Sequence, residues 1–273
     1  MSLKSVRGIS IGYDEYGSGS PLVLLHGHPF NRSMWDEQRE TLRSTCRVIV
    51  PDLRGYGKTT VVPGKTTMED FAGDLAALLD ALAIDRIILG GLSMGGQIVF
   101  EFYRQFPSRV RALLLADTQP QVDTEEVRAT RYATAQRVLN EGMQDLAEEV
   151  LPRLLAPQTI ASHPDVVNRV RQMILQTQPE GAAAALRGRA ERRDYTSLLR
   201  EIAVPTLIVV GSEDTFTPIS DAELMQREIV GSQLAIIDGV GHMPNMEHPD
   251  EFNAILEQFL LPITSLARLY PLA

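Results

Sequence analysis

Short apolar runs alternate with longer stretches of helical periodicity along residues 1–120 of the chain. Apolar runs that are bounded by Gly, Pro and polar residues are typical of buried strands. They predict strands at residues 8–16, 21–25, 47–50, 86–89 and 110–115. Apolar positions three and four apart predict helices at 66–82 and 94–106, the first with a capping box made by Thr66 and Glu69. This alternation predicts an α/β protein with a mostly parallel sheet.

The alternation stops between residues 121 and 200, where helices are predicted at 125–141, 143–155, 165–177 and 181–189. Strands at 204–210 and 233–237 then alternate with helices at 221–230 and 249–260. We therefore expect a core domain of residues 1–120 and 201–273, with a helical cap inserted at 121–200. The first two strands have no helix between them, so that edge of the sheet is expected to be antiparallel. Residues 262–273 are expected to pack loosely.

One motif with chemical meaning is Gly-x-Ser-x-Gly, present as Gly91-Leu92-Ser93-Met94-Gly95 between a predicted strand and a predicted helix. A strand–turn–helix setting is the one in which this motif exposes a serine nucleophile. Side chains at positions 91 and 95 would collide with the neighbouring chain in so sharp a turn. The start of a helix also directs free N–H groups toward developing negative charge. The structural alternative is a glycine-rich helix start with an N-cap serine.

The chain resembles the α/β-hydrolase fold family over residues 8–260. The resemblance lies in the strand–helix order, the motif around Ser93, the His26-Gly27-His28-Pro29 loop after an early strand, the helical insertion, and polar loops after the last strands. It implies an eight-stranded, mostly parallel sheet flanked by helices. It also implies serine hydrolysis without a cofactor, and the sequence contains no pattern typical of a metal site.

The resemblance further implies the chain order serine, acid, histidine. His242 follows the predicted strand at 233–237, and we expect it to be the general base. The family pattern puts the acid at Asp214, after the strand at 204–210; Glu213 and Asp117 are the alternatives. Each loop follows the carboxyl end of a strand, where reacting groups lie in open α/β sheets.

An oxyanion hole requires two N–H donors. The resemblance implies the backbone N–H groups of Met94 and His28, with Phe30 as the fallback because Pro29 has no N–H. The His28-Pro29 bond is expected to be cis, and the His28 side chain to be a wall of the pocket or an acid–base group. Phe30, Met143 and Met173 are candidate substrate contacts, although the methionines could equally form the cap's own core.

Composition narrows the choice of partners. The chain is 44% hydrophobic and 22% charged, with a net charge of −9 and a single cysteine, Cys46. The negative charge disfavours nucleic acid and anionic membranes as partners. No apolar run approaches the length of a membrane span, and the N-terminus does not resemble a signal peptide. We therefore expect a cytoplasmic protein with a small-molecule substrate; its oligomeric state is not predicted.

The function predicted from these residues is a serine carboxylesterase that cleaves small esters or lactones. Residues 194–218 resemble 3-oxoadipate enol-lactonases, whose anionic substrate would need a cation such as Arg189, Arg192 or Arg193. The alternative for these arginines is a solvated helix face paired with Glu191 and Asp194.

The His-Gly-His-Pro loop resembles esterases and cofactor-free haloperoxidases more closely. Other candidates are a C–C bond hydrolase, in which Asn often replaces the Leu92 found here, and a hydrolase-fold receptor without turnover.

Overall fold

The computed structural model describes residues 1–269, with side chains described through residue 265. One sheet of eight strands has the order β1-β2-β4-β3-β5-β6-β7-β8. The pairs β1–β2 and β2–β4 are antiparallel, and the other five pairs are parallel. The strands are β1 Ser2–Val6, β2 Ile9–Tyr16, β3 Ser20–Leu25, β4 Cys46–Pro51, β5 Ile87–Leu92, β6 Val110–Ala116, β7 Thr206–Gly211 and β8 Gln233–Ile237. The predicted α/β class and mostly parallel sheet are confirmed.

Eleven α-helices occur in the part of the chain that the structure describes. They are α1 Asp36–Leu42, α2 Met68–Ala81, α3 Met94–Gln105, α4 Glu125–Glu141, α5 Gln144–Leu154, α6 Pro157–Ser162, α7 Pro164–Leu175, α8 Pro179–Ala190, α9 Ile219–Glu228, α10 Pro244–Glu247 and α11 Pro249–Leu269. The last helix continues past Pro262, so residues 262–269 are helical, whereas 270–273 lie outside the described residues. Within 1–269, no helix combines the length and apolarity that a membrane crossing requires.

Successive residues of each strand point to opposite sides of the sheet. Apolar clusters that include helix residues cover both sides. In β3, Leu22 and Leu24 belong to a cluster that includes residues of α1 and α11. Val23 and Leu25 belong to a second cluster with residues of α2, α3 and α9. A strand that is buried on both faces shows a continuous apolar run rather than alternation, which is why β3 and β5 could be recognised in the sequence.

Two local predictions differ from the structure. The strand predicted from residue 8 is the second arm of a hairpin, because Arg7 and Gly8 turn the chain with φ of 47° and 78°. Its first arm, β1, is a mostly exposed edge strand with no apolar signal. The antiparallel edge is therefore present, but β2 pairs with β1 and β4 rather than with β3.

The capping box of α2 lies one residue later than predicted. Thr67 accepts from the backbone N–H of Asp70, and the Asp70 carboxylate accepts from the N–H of Thr67. Thr66 is not available for this role, because its backbone N–H donates to the carbonyl of Ala184 in α8 at 3.0 Å. A tertiary contact thus decides where the helix begins.

Helices α4 to α8 all lie between β6 and β7 in the chain, and no strand interrupts them. The division into a core of 1–120 and 201–273 and a cap of 121–200 stays a prediction. The helix α8 lies against the loops before α2 with its backbone in direct contact. A side-chain carbon built at Gly188 would lie 1.7 Å from the Thr66 carbonyl oxygen, and one at Gly181 would lie 1.9 Å from that of Gly55. These glycines are seven residues apart and so share one face of the helix.

We expect Gly188→Ala to destabilise the protein by about 2 kcal/mol or more, because the added methyl group has no space. Helix propensity alone predicts the opposite sign, a gain of about 1 kcal/mol. Denaturant unfolding measures the difference, with Glu180→Ala on the exposed side of α8 as the control. A stabilised Gly188→Ala protein would contradict this packing of α8.

Candidate active site

The chain turns at Ser93 through a backbone conformation that is rare for a non-glycine residue. Ser93 has φ 57° and ψ −115°, directly between β5 and α3. A side-chain carbon at Gly91 would lie 2.3 Å from the Gly95 carbonyl carbon, and one at Gly95 would lie 2.3 Å from the Leu25 carbonyl oxygen. The predicted reason for both glycines is therefore confirmed. Ser93 is 8% exposed and lines a cavity. Strain of this size persists only where surrounding contacts enforce it.

The acid and the histidine meet at the carboxyl ends of β7 and β8. The Nδ1–H group of His242 is 2.7 Å from Oδ2 of Asp214. Asp214 also accepts from the Thr217 hydroxyl and from the backbone N–H of Phe216 at 2.7 Å. Burial alone would raise the pKa of Asp214, but the charge and hydrogen bond of His242, together with these donors, lower it. The carboxylate is therefore ionised and holds the imidazole in one orientation.

The two alternative acids lie in different environments. Glu213 is exposed, so it does not compete for His242. Asp117 follows β6, is buried, and accepts from the Gly211 N–H at 2.9 Å through Oδ1. Its other oxygen, Oδ2, accepts from no donor, and a hydrogen bond with the Asp214 side chain becomes possible when Asp117 carries a proton. Burial and the neighbouring charge of Asp214 raise the pKa of Asp117 well above its usual range. Of the two neighbouring carboxyls, Asp117 is thus the one that keeps its proton.

The backbone around Ser93 offers free hydrogen-bond donors. Among the described residues, the N–H groups of His28 and Met94 donate no hydrogen bond. The Phe30 N–H donates to the Gly27 carbonyl at 3.1 Å, which removes the fallback donor. A side-chain carbon built at Gly27 would lie 3.3 Å from Cβ of Ser93, so this loop runs directly beside the turn at Ser93. The His28-Pro29 bond is cis, as expected.

A cavity of about 510 Å³ lies over these groups and has Ser93, His28 and His242 in its wall. The three residues predicted to contact substrate do not line it. Phe30, Met143 and Met173 are each at most 5% exposed and belong to the hydrophobic core. The apolar wall is formed instead by other residues of α4, α5 and α8 and of the loop after β7, namely Val127, Leu146, Val150, Leu154, Leu186 and Phe216.

Known proteins agree with this architecture. The profile of the alpha/beta hydrolase fold family matches residues 20–249. The chain belongs to that family. A solved structure of a thermophilic esterase from Thermogutta terrifontis, with malate bound, is 43% identical and superimposes with a TM-score of 0.93, covering 96% of this chain and 97% of that one.

Two further relatives are named as lactonases. 3-Oxoadipate enol-lactonase 1 of Acinetobacter baylyi is 30% identical over 89% of each chain. The enol-lactonase structure from Burkholderia xenovorans LB400 is 27% identical, with a TM-score of 0.89 over 95% of this chain and 100% of that one. These similarities support hydrolysis of a small molecule as the activity of this α/β-hydrolase.

The histidines of the His-Gly loop differ in their surroundings. His26 is fully buried; its Nδ1 lies 2.8 Å from the Gly27 carbonyl and its Nε2 accepts from the Leu53 N–H, so it braces the loop. His28 Nδ1 lies 2.7 Å from the Tyr56 hydroxyl. Burial, together with the charge of Arg189, lowers the pKa of His28 well below its usual range. The His28 side chain is therefore a neutral part of the cavity wall of this hydrolase.

The three arginines singled out in the sequence have different roles in the α/β-hydrolase structure. Arg192 is buried and pairs with Asp123 at 2.7 Å. Arg193 is on the surface and pairs with Glu69. Arg189 is 8% exposed and lines the cavity, where its Nε donates to Oε1 of Gln97 at 3.1 Å. The alternative of a solvated face is therefore wrong for Arg189 and Arg192, which are buried; Arg193 is solvated, but it pairs with Glu69 rather than with Glu191 or Asp194.

The residues Asp117, Asp214 and His242 also form a group with the composition of a metal site, since one ligand atom of each lies within 4.8 Å of the others. The 2.7 Å contact between His242 and Asp214 is a direct hydrogen bond and leaves no space for an ion between the two atoms.

Sequence reasoning missed Glu247, which ties the histidine loop of the hydrolase to the inserted helices. Its carboxylate accepts from the backbone N–H groups of Gly241 at 2.9 Å and Ala156 at 2.8 Å, and from the Thr159 hydroxyl at 2.7 Å. Burial raises its pKa, although these hydrogen bonds oppose the shift. These partners come together only through folding, because Ala156 and Thr159 lie about ninety residues from Glu247 in the sequence.

We expect Glu247→Gln to destabilise the hydrolase by about 3 kcal/mol, because the amide NH₂ would face donors that then lose their acceptor. Glu251→Gln on the exposed side of α11 is the matched control. Denaturant unfolding of both variants measures the effect, and equal stabilities would mean that Glu247 is not needed as an acceptor.

Proposed function

We propose that this α/β-hydrolase is a serine esterase that cleaves small carboxylic esters or lactones through an acyl-enzyme. The observation that carries the proposal is the buried 2.7 Å hydrogen bond between His242 and Asp214 on the wall of the same cavity as Ser93. A cavity of about 510 Å³ suits a small substrate.

In the proposed mechanism, Oγ of Ser93 attacks the ester carbonyl while Nε2 of His242 takes its proton. Asp214 stabilises the imidazolium through the hydrogen bond to Nδ1. The oxyanion accepts from the N–H groups of His28 and Met94. When the intermediate collapses, the alcohol leaves with the proton from His242. Water then attacks the acyl group, and a second proton transfer through His242 releases the acid and restores the serine.

Ser93 and His242 form no hydrogen bond with each other in this structure, although both side chains belong to the described residues. A long contact of this kind is common before substrate binds and is compatible with the proposed proton transfer. The helix α3 begins directly after Ser93, so its dipole favours the negative charge that develops there.

The esterase proposal also accounts for residues that other functions would leave unexplained. The residue before the nucleophile is Leu92, a fully buried apolar side chain, rather than the polar Asn often found in C–C bond hydrolases. A ligand receptor would need neither an ionised acid bonded to the histidine nor free N–H groups beside the serine. The names of relatives, which include esterases and enol-lactonases, favour ester or lactone bonds.

We expect Ser93→Ala to reduce kcat for p-nitrophenyl acetate by a factor on the order of 10⁴ or more, because no other group supplies the nucleophile. The melting temperature should remain that of the wild type, since Cβ is kept and only a hydroxyl is lost. A variant that retains turnover would refute the role of Ser93, whereas substrate affinity without turnover in the wild type would favour a receptor.

The two buried carboxyls provide an internal comparison. Asp214→Asn should reduce kcat by about 10⁴, because the amide no longer stabilises the imidazolium. Asp117→Asn should leave kcat nearly unchanged, because the amide has the shape of the neutral acid already present. Rates of both variants with the same ester decide between the two acids, and the reverse order of effects would make Asp117 the acid.

A further inference from the structure

The cavity of the proposed esterase contains a buried cation that forms no ion pair with a described carboxylate. Arg189 is more than nine-tenths buried, and the only hydrogen bond of its side chain to a described residue runs from Nε to the neutral amide oxygen of Gln97. Its two terminal nitrogens have no protein acceptor, yet they are not among the fully enclosed polar atoms. Because the side chain lines the cavity, these nitrogens are accessible from inside it.

Arg192, in contrast to Arg189, has the hydrogen-bond partners expected of an arginine with a structural role. Its guanidinium bonds to the Asp123 carboxylate at 2.7 Å and to the Gln121 carbonyl at 2.6 Å. Arg131 also pairs with Asp123. Burial alone would raise the pKa of Asp123, but these two cations lower it to about 2. The Asp123 carboxylate therefore pairs directly with two arginines, whereas it attracts Arg189 only at a distance and accepts no hydrogen bond from it.

Other acids on the cavity wall do not supply the missing charge. Glu149 pairs with Arg137 at 2.5 Å, and Glu126 is exposed. Burial, followed by repulsion from Arg131 and Arg192, lowers the pKa of Arg189 well below its usual range. A guanidinium nevertheless keeps its charge in proteins. The guanidinium thus has no carboxylate partner in the folded state, which is unfavourable until an anion occupies the cavity.

We propose that Arg189 binds a free carboxylate of the substrate, so that the preferred substrates are short esters that also carry a carboxylate, such as half-esters of dicarboxylic acids. The planar guanidinium suits a carboxylate, which can accept two parallel hydrogen bonds from it. This inference rests on the proposed esterase function and narrows its substrate class.

Arg189 and Ser93 face the same cavity and are connected through Gln97. Gln97 lies in the first turn of α3, which begins directly after Ser93, and the Arg189 guanidinium contacts the far end of the Gln97 side chain. Ser93, Gln97 and Arg189 all line the cavity of about 510 Å³. A substrate with its carboxylate on Arg189 and its ester carbon at Oγ of Ser93 must fit within this one cavity, as half-esters of short dicarboxylic acids do.

The test compares monomethyl glutarate with methyl hexanoate, in which an ethyl group replaces the carboxylate, by titrating the acid released at constant pH. We expect the wild type to prefer the charged ester in kcat/KM. Arg189→Met should lower kcat/KM for that ester by about 100-fold and leave the neutral ester nearly unchanged. Arg189→Lys, which keeps the charge without the planar fork, should fall between the two.

Two controls separate a binding site from a structural or long-range effect. Arg187→Met removes the same charge from the same helix, but Arg187 bonds to the Gly64 carbonyl outside the cavity, so the preference should persist. The melting temperature of Arg189→Met without ligand should equal or exceed that of the wild type, since an uncompensated buried charge is removed. If Arg189→Met does not fold, Arg189→Gln, which can still bond to Gln97, takes its place.

Calorimetry with glutarate tests the anion site independently of catalysis. Binding to the wild type and to Ser93→Ala, lost in Arg189→Met, is the expected result. If no ester is hydrolysed but glutarate binds through Arg189, the esterase proposal fails and the carboxylate site stands. If esters are hydrolysed but glutarate does not bind, or Arg189→Met keeps the preference for the charged ester, the carboxylate site is refuted and the esterase proposal stands.

Discussion

The close approach of main-chain atoms around Ser93 is the constraint on which the site depends. The chain can leave β5 and enter α3 at this angle only because positions 91 and 95 are glycines. A side chain at Gly91 would collide with the backbone of Gly95, and one at Gly95 would collide with the end of β3. The same contact brings the His-Gly loop, which follows β3, beside the serine. Ser93 and the free N–H groups of His28 and Met94 are therefore held by one piece of rigid backbone. A site that must stabilise a transient charge gains from donors that are fixed before the reaction starts.

The opposite end of the site depends on electrostatics rather than on contact between backbones. Two buried carboxyls, Asp117 and Asp214, lie close together, and the ionisation of both would be energetically unfavourable. The donors are unequal: Asp214 receives the imidazole, a hydroxyl and backbone N–H groups, whereas Asp117 receives one N–H. The charge consequently resides on Asp214. Glu247 completes this end by fixing the histidine loop to the helices above it.

Features encoded locally were predictable, and those created by folding were not. The buried strands and the turn at Ser93 follow from short runs of sequence, whereas the order of serine, acid and histidine loops was implied by the family resemblance. The edge strand β1 has no such signal, because an exposed strand needs no apolar pattern. Thr66 has the residue type and spacing of a helix cap, but its backbone N–H donates to the Ala184 carbonyl of α8. Met143 and Met173 are apolar and lie on the inserted helices, yet which apolar side chains face a cavity and which face the core depends on how each helix rotates.

The role of Arg189 depends on its residue type, which the sequence shows, and on its position in the fold, which the sequence does not show. Gly181 and Gly188 let α8 lie directly on the loops of the core, and this contact fixes the rotation of the helix. The residue after Gly188 is then directed into the cavity whatever its chemistry. An apolar side chain there would have been the stable choice beside Leu186, since it needs no partner. A cation without a counter-charge makes the empty protein less stable and makes the occupied one more selective, as expected where a protein gives up stability for binding. The sequence showed three arginines close together, but only their unequal partners distinguish a structural cation from one that is available to a ligand.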